Sequence, residues 1–309
     1  MKKVFIDGSA GTTGLRIYER LSARKDLEIV TLPEAYRKDA QARKEALNSV
    51  DVAFLCLPDD AAREAVSMIE TPSVTVIDAS TAHRTLPEWA YGFPELSAAF
   101  EEKLLNSNRI AVPGCHASGF IALVYPLIEA GILEKTALLT CHSVTGYSGG
   151  GKKMIAEYEA AERNPLLDAP RQYALTQQHK HLKEMKAITG LDGEPIFCPI
   201  VSDFYSGMAV TVPLFKSQLA GGSAEDIKKL YREKYQGEIV RYVENVDENG
   251  FLSGKALYAK DGMQIGVAGN DERILLLAAY DNLGKGASGA AIECMNLKIG
   301  ANRKEGLLL

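Results

Sequence analysis

The chain has 309 residues, 46% of them hydrophobic and 24% charged, with a formal net charge of -5 and a pI near 5.7. That balance excludes a disordered chain and leaves no bulk electrostatic footprint for nucleic acid or an anionic membrane surface. The length suits two domains of roughly 100–200 residues each, and no stretch reaches the roughly 18 consecutive apolar residues of a membrane span.

The first third reads as alternating strands and helices. Val4-Phe5-Ile6 is an apolar run, too short for the core of a secretion signal. Gly8-Ser9-Ala10-Gly11-Thr12-Thr13-Gly14 follows, and Leu15, Tyr18 and Leu21 then recur at helical spacing. A glycine-rich turn at the first βα junction suits a dinucleotide pyrophosphate. Its backbone admits close approach, and the helix N-terminus offers unpaired N–H groups. The spacing is Gly-x-x-Gly-x-x-Gly, so position in the βαβ unit carries this assignment more than the glycines do. Residues 27–32 predict the second strand. No carboxylate ends it; Glu34 is the nearest, and Arg37 and Lys38 follow. Basic residues there favour the 2′-phosphate of NADP over NAD. A charged helix over 35–47, a doubly buried strand over 52–57, a helix over 59–69 and a strand over 74–78 complete the pattern. Such βα repeats predict a Rossmann-like, doubly wound parallel sheet in an α/β domain.

The stretch Pro113-Gly114-Cys115-His116 lies between a strand end at 109–112 and an apolar helix that runs to Gly131. The helix dipole and the orphan N–H groups there favour a thiolate. The same N–H groups suit an oxyanion on a carbon bonded to the sulfur. Cys115 is therefore the candidate nucleophile. The other cysteines, Cys56, Cys141, Cys198 and Cys294, form neither a CxxC pair nor a zinc spacing with it. An odd, dispersed set reads as reduced thiols in a cytoplasmic protein without a metal site. Candidate proton partners are His116, His142, His179 and His181. The last two, at i and i+2, would diverge on a helix, so at most one of them is expected to face the thiol.

Beyond residue 115 the pattern is α+β. Strands are predicted over 137–144, 196–204, 208–215, 239–246, 264–268 and 274–280, with 196–204 and 208–215 paired. Gly149-Gly150-Gly151 offers further backbone N–H groups, 154–162 reads as a helix, and Ser223 caps another. A final helix spans 285–298 with Ala287, Ala290, Ala291 and Cys294 on a small-residue face. The expected division is an NADP-binding domain over 1–114, completed by 284–309, and a catalytic domain with a mixed sheet over 115–283.

Gly8 to Gly14, Asp78-Ala79-Ser80-Thr81-Ala82-His83-Arg84, Phe93-Pro94-Glu95, Pro113-Gly114-Cys115, His179-Lys180-His181 and Asp281-Asn282-Leu283-Gly284-Lys285-Gly286 occur in that order. Together they resemble the shorter class of the N-acetyl-gamma-glutamyl-phosphate reductase family, in the aspartate-semialdehyde dehydrogenase-like group. The family more often has Tyr after its cysteine, where His116 stands here. The resemblance implies NADPH-dependent reduction of an acyl phosphate, N-acetyl-glutamyl 5-phosphate, to its semialdehyde in arginine biosynthesis, by a homodimer or homotetramer in which the catalytic domain over 115–283 is the dimerisation domain as well. It implies Cys115 as nucleophile, with His181, or else His179, as acid and base. It further implies Gly8, Ser9, Gly11, Thr12, Thr13, Gly14, Arg37, Ser80 and Asn282 at the cofactor, and Arg84, Ser143 and Gly146 at the substrate. Glu184, three residues after His181, is placed to orient it. The alternatives are another acyl-phosphate reductase, such as aspartate-semialdehyde dehydrogenase, and a nucleotide-sensing protein without catalysis.

Overall fold

Short apolar runs bounded by turns become strands buried on both faces. The computed structural model describes residues 1–309, in two units: Met1–Pro113 with Ala287–Leu308, and Gly114–Gly286 with Leu309. The first unit contains β1 (Lys2–Asp7), α1 (Thr12–Ser22), β2 (Leu27–Val30), α2 (Ala40–Asn48), β3 (Val52–Leu55), α3 (Asp59–Ser67), β4 (Thr75–Asp78), β5 (Ala90–Tyr91), α4 (Ala98–Asn106) and β6 (Arg109–Ala111). Its six strands lie in the order β2-β1-β3-β4-β6-β5, and every pair is parallel. Alternation along each strand divides the core. Val4, Ile6, Val52, Phe54 and Ile77 face α1 and the C-terminal helix Gly289–Ile299, whereas Phe5, Ala53, Leu55 and Val76 face α2 and α3. Strand order reverses between β1 and β3, the switch point at which ligands bind in open α/β sheets.

The predicted helix over 35–47 is divided. A 3₁₀ turn covers Glu34–Tyr36, and α2 starts only at Ala40. Asp39 explains the restart, because its carboxylate accepts the Ala42 N–H and caps the new helix.

The second unit holds α5 (Cys115–Glu129), β7 (Thr140–Gly146), α6 (Gly151–Glu159), β8 (Arg171–Gln172), α7 (Lys180–Thr189), β9 (Ile196–Ser202), β10 (Met208–Phe215), α8 (Ala224–Lys234), β11 (Val240–Tyr242), β12 (Met263–Gly269) and β13 (Arg273–Tyr280). Its seven-stranded sheet runs β11-β12-β13-β10-β7-β9-β8 and is mixed: β7 with β9 and β11 with β12 are parallel, the remaining pairs antiparallel. The predicted pairing of 196–204 with 208–215 is therefore wrong. Strand β7 lies between β9 and β10 and bonds to both, which satisfies its backbone groups on both edges. Helix α5 is apolar nearly all round and buried from His116 to Val124, as expected of a helix enclosed on every side. It packs on α7, β10 and β13. The last predicted helix starts late, because a π-helical turn occupies Gly284–Ser288. No helix is long and apolar enough to cross a membrane.

Candidate active site

The turn after β1 is tight for a stated reason. Gly8 has φ +85°, and a Cβ there would lie 2.3 Å from the Cys56 carbonyl oxygen. A Cβ on Gly14 would lie 2.4 Å from the Gly8 oxygen. Gly11 caps α1, and its N–H donates to Gly8 C=O at 2.9 Å. Thr12 and Thr13 form the first turn of α1 with no acidic side chain beside them. This end of the helix therefore favours an anion. Beside it lies a cavity of about 1010 Å³ lined by Gly8, Ser9, Glu34, Arg37, Lys38 and Arg43, among others. Arg43 is committed to Asp7 at 2.9 Å and to Glu64 at 3.1 Å. Arg37 and Lys38 are exposed at the cavity. Glycine turn, helix N-terminus and basic rim together fit a phosphorylated dinucleotide.

Cys115 is the first residue of α5, and Gly114 is its N-cap. Side chains from distant parts of the second unit hold this turn. The Gly114 N–H donates to Glu184 Oε1 at 2.7 Å, and Glu184 is buried. The Tyr280 hydroxyl donates to Cys115 C=O at 2.5 Å. The Ser118 hydroxyl and N–H both donate to Gly114 C=O, at 3.0 and 2.9 Å. Gly286 lies so close that a Cβ on it would stand 3.1 Å from Cys115 Cβ. Two of the other thiols, Cys56 and Cys141, sit in settings that suppress ionisation. Burial, then the Asp78 and Asp7 charges, push Cys56 up to about 12. Burial raises Cys141, and buried Cys294 lies against Gly92 C=O. Cys198 is half-buried in β9, away from any helix start.

Three imidazoles gather at the start of α5. His116 is buried, with Nδ1 2.6 Å from Ser143 Oγ and Nε2 2.7 Å from the Tyr173 hydroxyl. Burial, with a smaller contribution from His179, lowers its pKa to about 3. It is a neutral ring whose two nitrogens are both engaged. The His179 and His181 rings lie 6.2 and 5.5 Å from it and 4.8 Å from each other. The expected divergence of these two does not occur. Helix α7 starts at Lys180, so His179 is its N-cap and not a helical residue. Its Nδ1 accepts the His181 N–H at 3.3 Å. Burial, then Lys180, lowers the His179 pKa, so that this ring is also neutral near pH 7. His181 shares a helix face with Glu184 at i+3, the side that reaches Gly114. His142 points to the exposed side of β7, apart from this group.

Several other candidates are engaged in structure. Ser80 donates to Asp78 at 2.6 Å, and its oxygen accepts the Ala82 N–H at 3.1 Å. Asp78 also holds His83 at 2.6 Å, and that ring stacks on Trp89. Arg84 is buried and donates from Nε to Val112 C=O and from Nη2 to Ala79 C=O, anchoring the chain just ahead of Pro113. Ser143 serves His116. Gly146 is a close approach, where a Cβ would lie 2.6 Å from the Phe204 and Tyr205 oxygens. Asn282 accepts the Gly207 N–H at 2.8 Å and donates to Ser148 Oγ at 3.0 Å. Nothing in the sequence sets Tyr173 and Tyr280 apart from tyrosines of the core. Tyr173 follows a two-residue strand and Tyr280 sits 165 residues from its partner, so no local pattern marks either.

Residues 3–103 match the family model described as the semialdehyde dehydrogenase NAD binding domain, and residues 115–282 match the semialdehyde dehydrogenase dimerisation domain. A Nostoc protein named N-acetyl-gamma-glutamyl-phosphate reductase 2 is 45% identical, over 99% of this chain and 99% of its own. A Pseudomonas putida protein of the same name is 45% identical, over 98% of each. Among solved structures, aspartate semialdehyde dehydrogenase II from Vibrio cholerae, complexed with ASA, superposes with a TM-score of 0.73 at 16% identity, covering 97% of this chain and 98% of that one. The Candida albicans aspartate semialdehyde dehydrogenase, solved with NADP, gives 0.68 at 16% identity, covering 97% and 99%. At that identity these two show a shared fold. With full-length relatives at 45% identity and both domain models matched, the chain belongs to the N-acetyl-gamma-glutamyl-phosphate reductase family of semialdehyde dehydrogenases.

Proposed function

We propose that this chain reduces N-acetyl-glutamyl 5-phosphate to N-acetyl-glutamate 5-semialdehyde with NADPH, in arginine biosynthesis. The observation that carries the reading is Cys115 at the first position of a buried helix, beside three clustered imidazoles. The names of the full-length relatives supply the substrate. Cys115 attacks the acyl carbon as a thiolate, the C–O bond to phosphate breaks, and a thioester remains on the sulfur. N–H groups of the first turn of α5 face the oxygen that becomes negative in this step. NADPH, when bound at the Gly8–Gly14 turn, supplies a hydride to the acyl carbon. The thiohemiacetal then collapses to aldehyde and thiolate. His181 moves the proton at the oxygen, and His179, capping α7, holds the His181 backbone. His116 stays neutral and packs the floor through Ser143 and Tyr173.

The exposed Arg37 and Lys38 support NADP over NAD, since a guanidinium suits a 2′-phosphate. Arg84 holds Val112 and Ala79, and we assign its guanidinium to the substrate's phosphate, whose geometry it matches. Exposed Ile196 and Phe215 on the seven-stranded sheet, in the part that matches a dimerisation domain, support a homo-oligomer joined there. A thiol nucleophile that must stay reduced, with no disulfide formed by any of the five cysteines, supports a cytoplasmic setting.

The test is phosphate-dependent NADP reduction with N-acetyl-glutamate semialdehyde and aspartate semialdehyde side by side. The N-acetylated aldehyde is the expected substrate. Preference for aspartate semialdehyde would overturn the substrate assignment, and turnover of neither would overturn the enzymatic reading.

A further inference from the structure

Tyr280 ends β13 and is fully buried. Its hydroxyl stands inside the first turn of α5. It donates to Cys115 C=O at 2.5 Å and accepts the Gly119 N–H at 3.0 Å. In an uninterrupted helix these two backbone groups would bond to each other, as residues i and i+4. Here a side chain from the sheet bridges them, the kind of insertion that opens a helical turn. The residue at 119 is matched to this arrangement. A Cβ on Gly119 would lie 2.7 Å from the Tyr280 hydroxyl, 2.9 Å from its ring and 2.7 Å from Val210 Cγ2. Only glycine lets the phenol reach the backbone. Burial, together with the Cys115 charge, keeps the phenol protonated and thus a donor.

We propose that Tyr280 is a positioning residue for the reaction: by tying Cys115 C=O to the sheet, it sets the tilt of the peptide plane that carries the His116 N–H, and so aims that N–H at the sulfur and at the oxygen of the bound acyl group. The plane is rigid, so fixing the carbonyl fixes the amide on its far edge. Glu184 grips the preceding N–H at Gly114. The Pro113–Gly114 peptide before Cys115 and the Cys115–His116 peptide after it are thus held by different elements, the first by α7 and the second by β13.

This inference rests on Cys115 being the nucleophile, and Tyr280→Phe tests it. Loss of the hydroxyl lets Gly119 N–H close directly onto Cys115 C=O, so the variant folds with an ordinary first turn. The readouts are kcat, KM, and the pH profile of Cys115 alkylation by iodoacetamide, followed by peptide mass spectrometry. In Tyr280→Phe, kcat is expected to fall about 10-fold or more with KM within about twofold, and the alkylation midpoint to move to higher pH. If Tyr280 only stabilises the fold, melting temperature drops while the alkylation profile and kcat stay with the wild type, and the proposal is overturned. If the wild-type Cys115 itself shows no reactivity above the other thiols, it is the nucleophile reading that fails. Should Tyr280→Phe not fold, hydrogen exchange of the wild type decides. Slow exchange at Gly119, becoming slower still when Cys115 is alkylated or acylated, supports the bridge; fast exchange there overturns it.

Discussion

Glu184 offers a quantitative check on how the Cys115 turn is held. Its Oε1 accepts the Gly114 N–H at 2.7 Å in a buried setting. Glu184→Ala leaves that N–H without its acceptor, which costs about 1–3 kcal/mol. For a folding unit the size of Gly114–Gly286, each kcal/mol lowers the melting temperature by about 2–4 °C, so a fall of roughly 2–12 °C is expected. The turn also sets where the sulfur stands. A misplacement of about 1 Å can cost on the order of 100-fold in rate, and a loss in kcat of about 10- to 100-fold is expected. Glu184→Gln keeps an acceptor oxygen and loses only charge assistance, a change of about 1 kcal/mol or less, with kcat within about fivefold. Differential scanning calorimetry and steady-state NADPH oxidation measure both effects. The reasoning fails if Glu184→Ala melts and turns over like the wild type. It fails equally if Glu184→Gln loses as much activity as Glu184→Ala, since the carboxylate charge would then act in the chemistry itself.

Other consequences follow from the same geometry. His116 has a folded pKa of about 3, below its ordinary 6.5, so its neutral form contributes stability that is fully present above about pH 6.5 and is lost as pH falls toward 3. The unfolded state binds the proton first over that window, with a slope approaching 1.4 kcal/mol per pH unit. Urea titrations at pH 7, 6, 5 and 4 should show His116→Gln losing stability less steeply than the wild type; parallel curves would contradict a buried neutral ring. Arg37→Ala should raise the KM for NADPH about tenfold, equivalent to about 1.4 kcal/mol, while leaving that for NADH nearly unchanged; equal effects on both would remove Arg37 from the 2′-phosphate. His181→Asn should lower kcat by about 100-fold or more, and His179→Asn by less. A larger loss at His179 would exchange their roles.

What could be read along the chain depended on range. The parallel sheet was legible because Val4-Phe5-Ile6 and 52–55 are apolar without interruption, and only doubly covered strands tolerate that. Cys115 was legible because Pro113, Gly114 and the apolar run after it mark a helix start locally. The neighbours of 196–202 were not legible: β7 separates it from β10 in the sheet although only five residues, 203–207, separate them in the chain. The directions of His179 and His181 depart from i, i+2 divergence because one residue, the cap position of α7, decides whether the first ring obeys helical spacing. Glu184 and Tyr280 reach the Cys115 turn across 70 and 165 residues. Such contacts belong to tertiary packing, and no local pattern encodes them.

The central claim is a covalent acyl group on Cys115. The direct measurement mixes the enzyme with N-acetyl-glutamyl phosphate in the absence of any nicotinamide cofactor, follows phosphate release, and maps the acylated peptide by mass spectrometry. Rapid release of phosphate stoichiometric with enzyme, with the added mass on the peptide carrying Cys115 and none in Cys115→Ser, is the predicted result. No burst in the wild type, or an equal burst in Cys115→Ser, would contradict it.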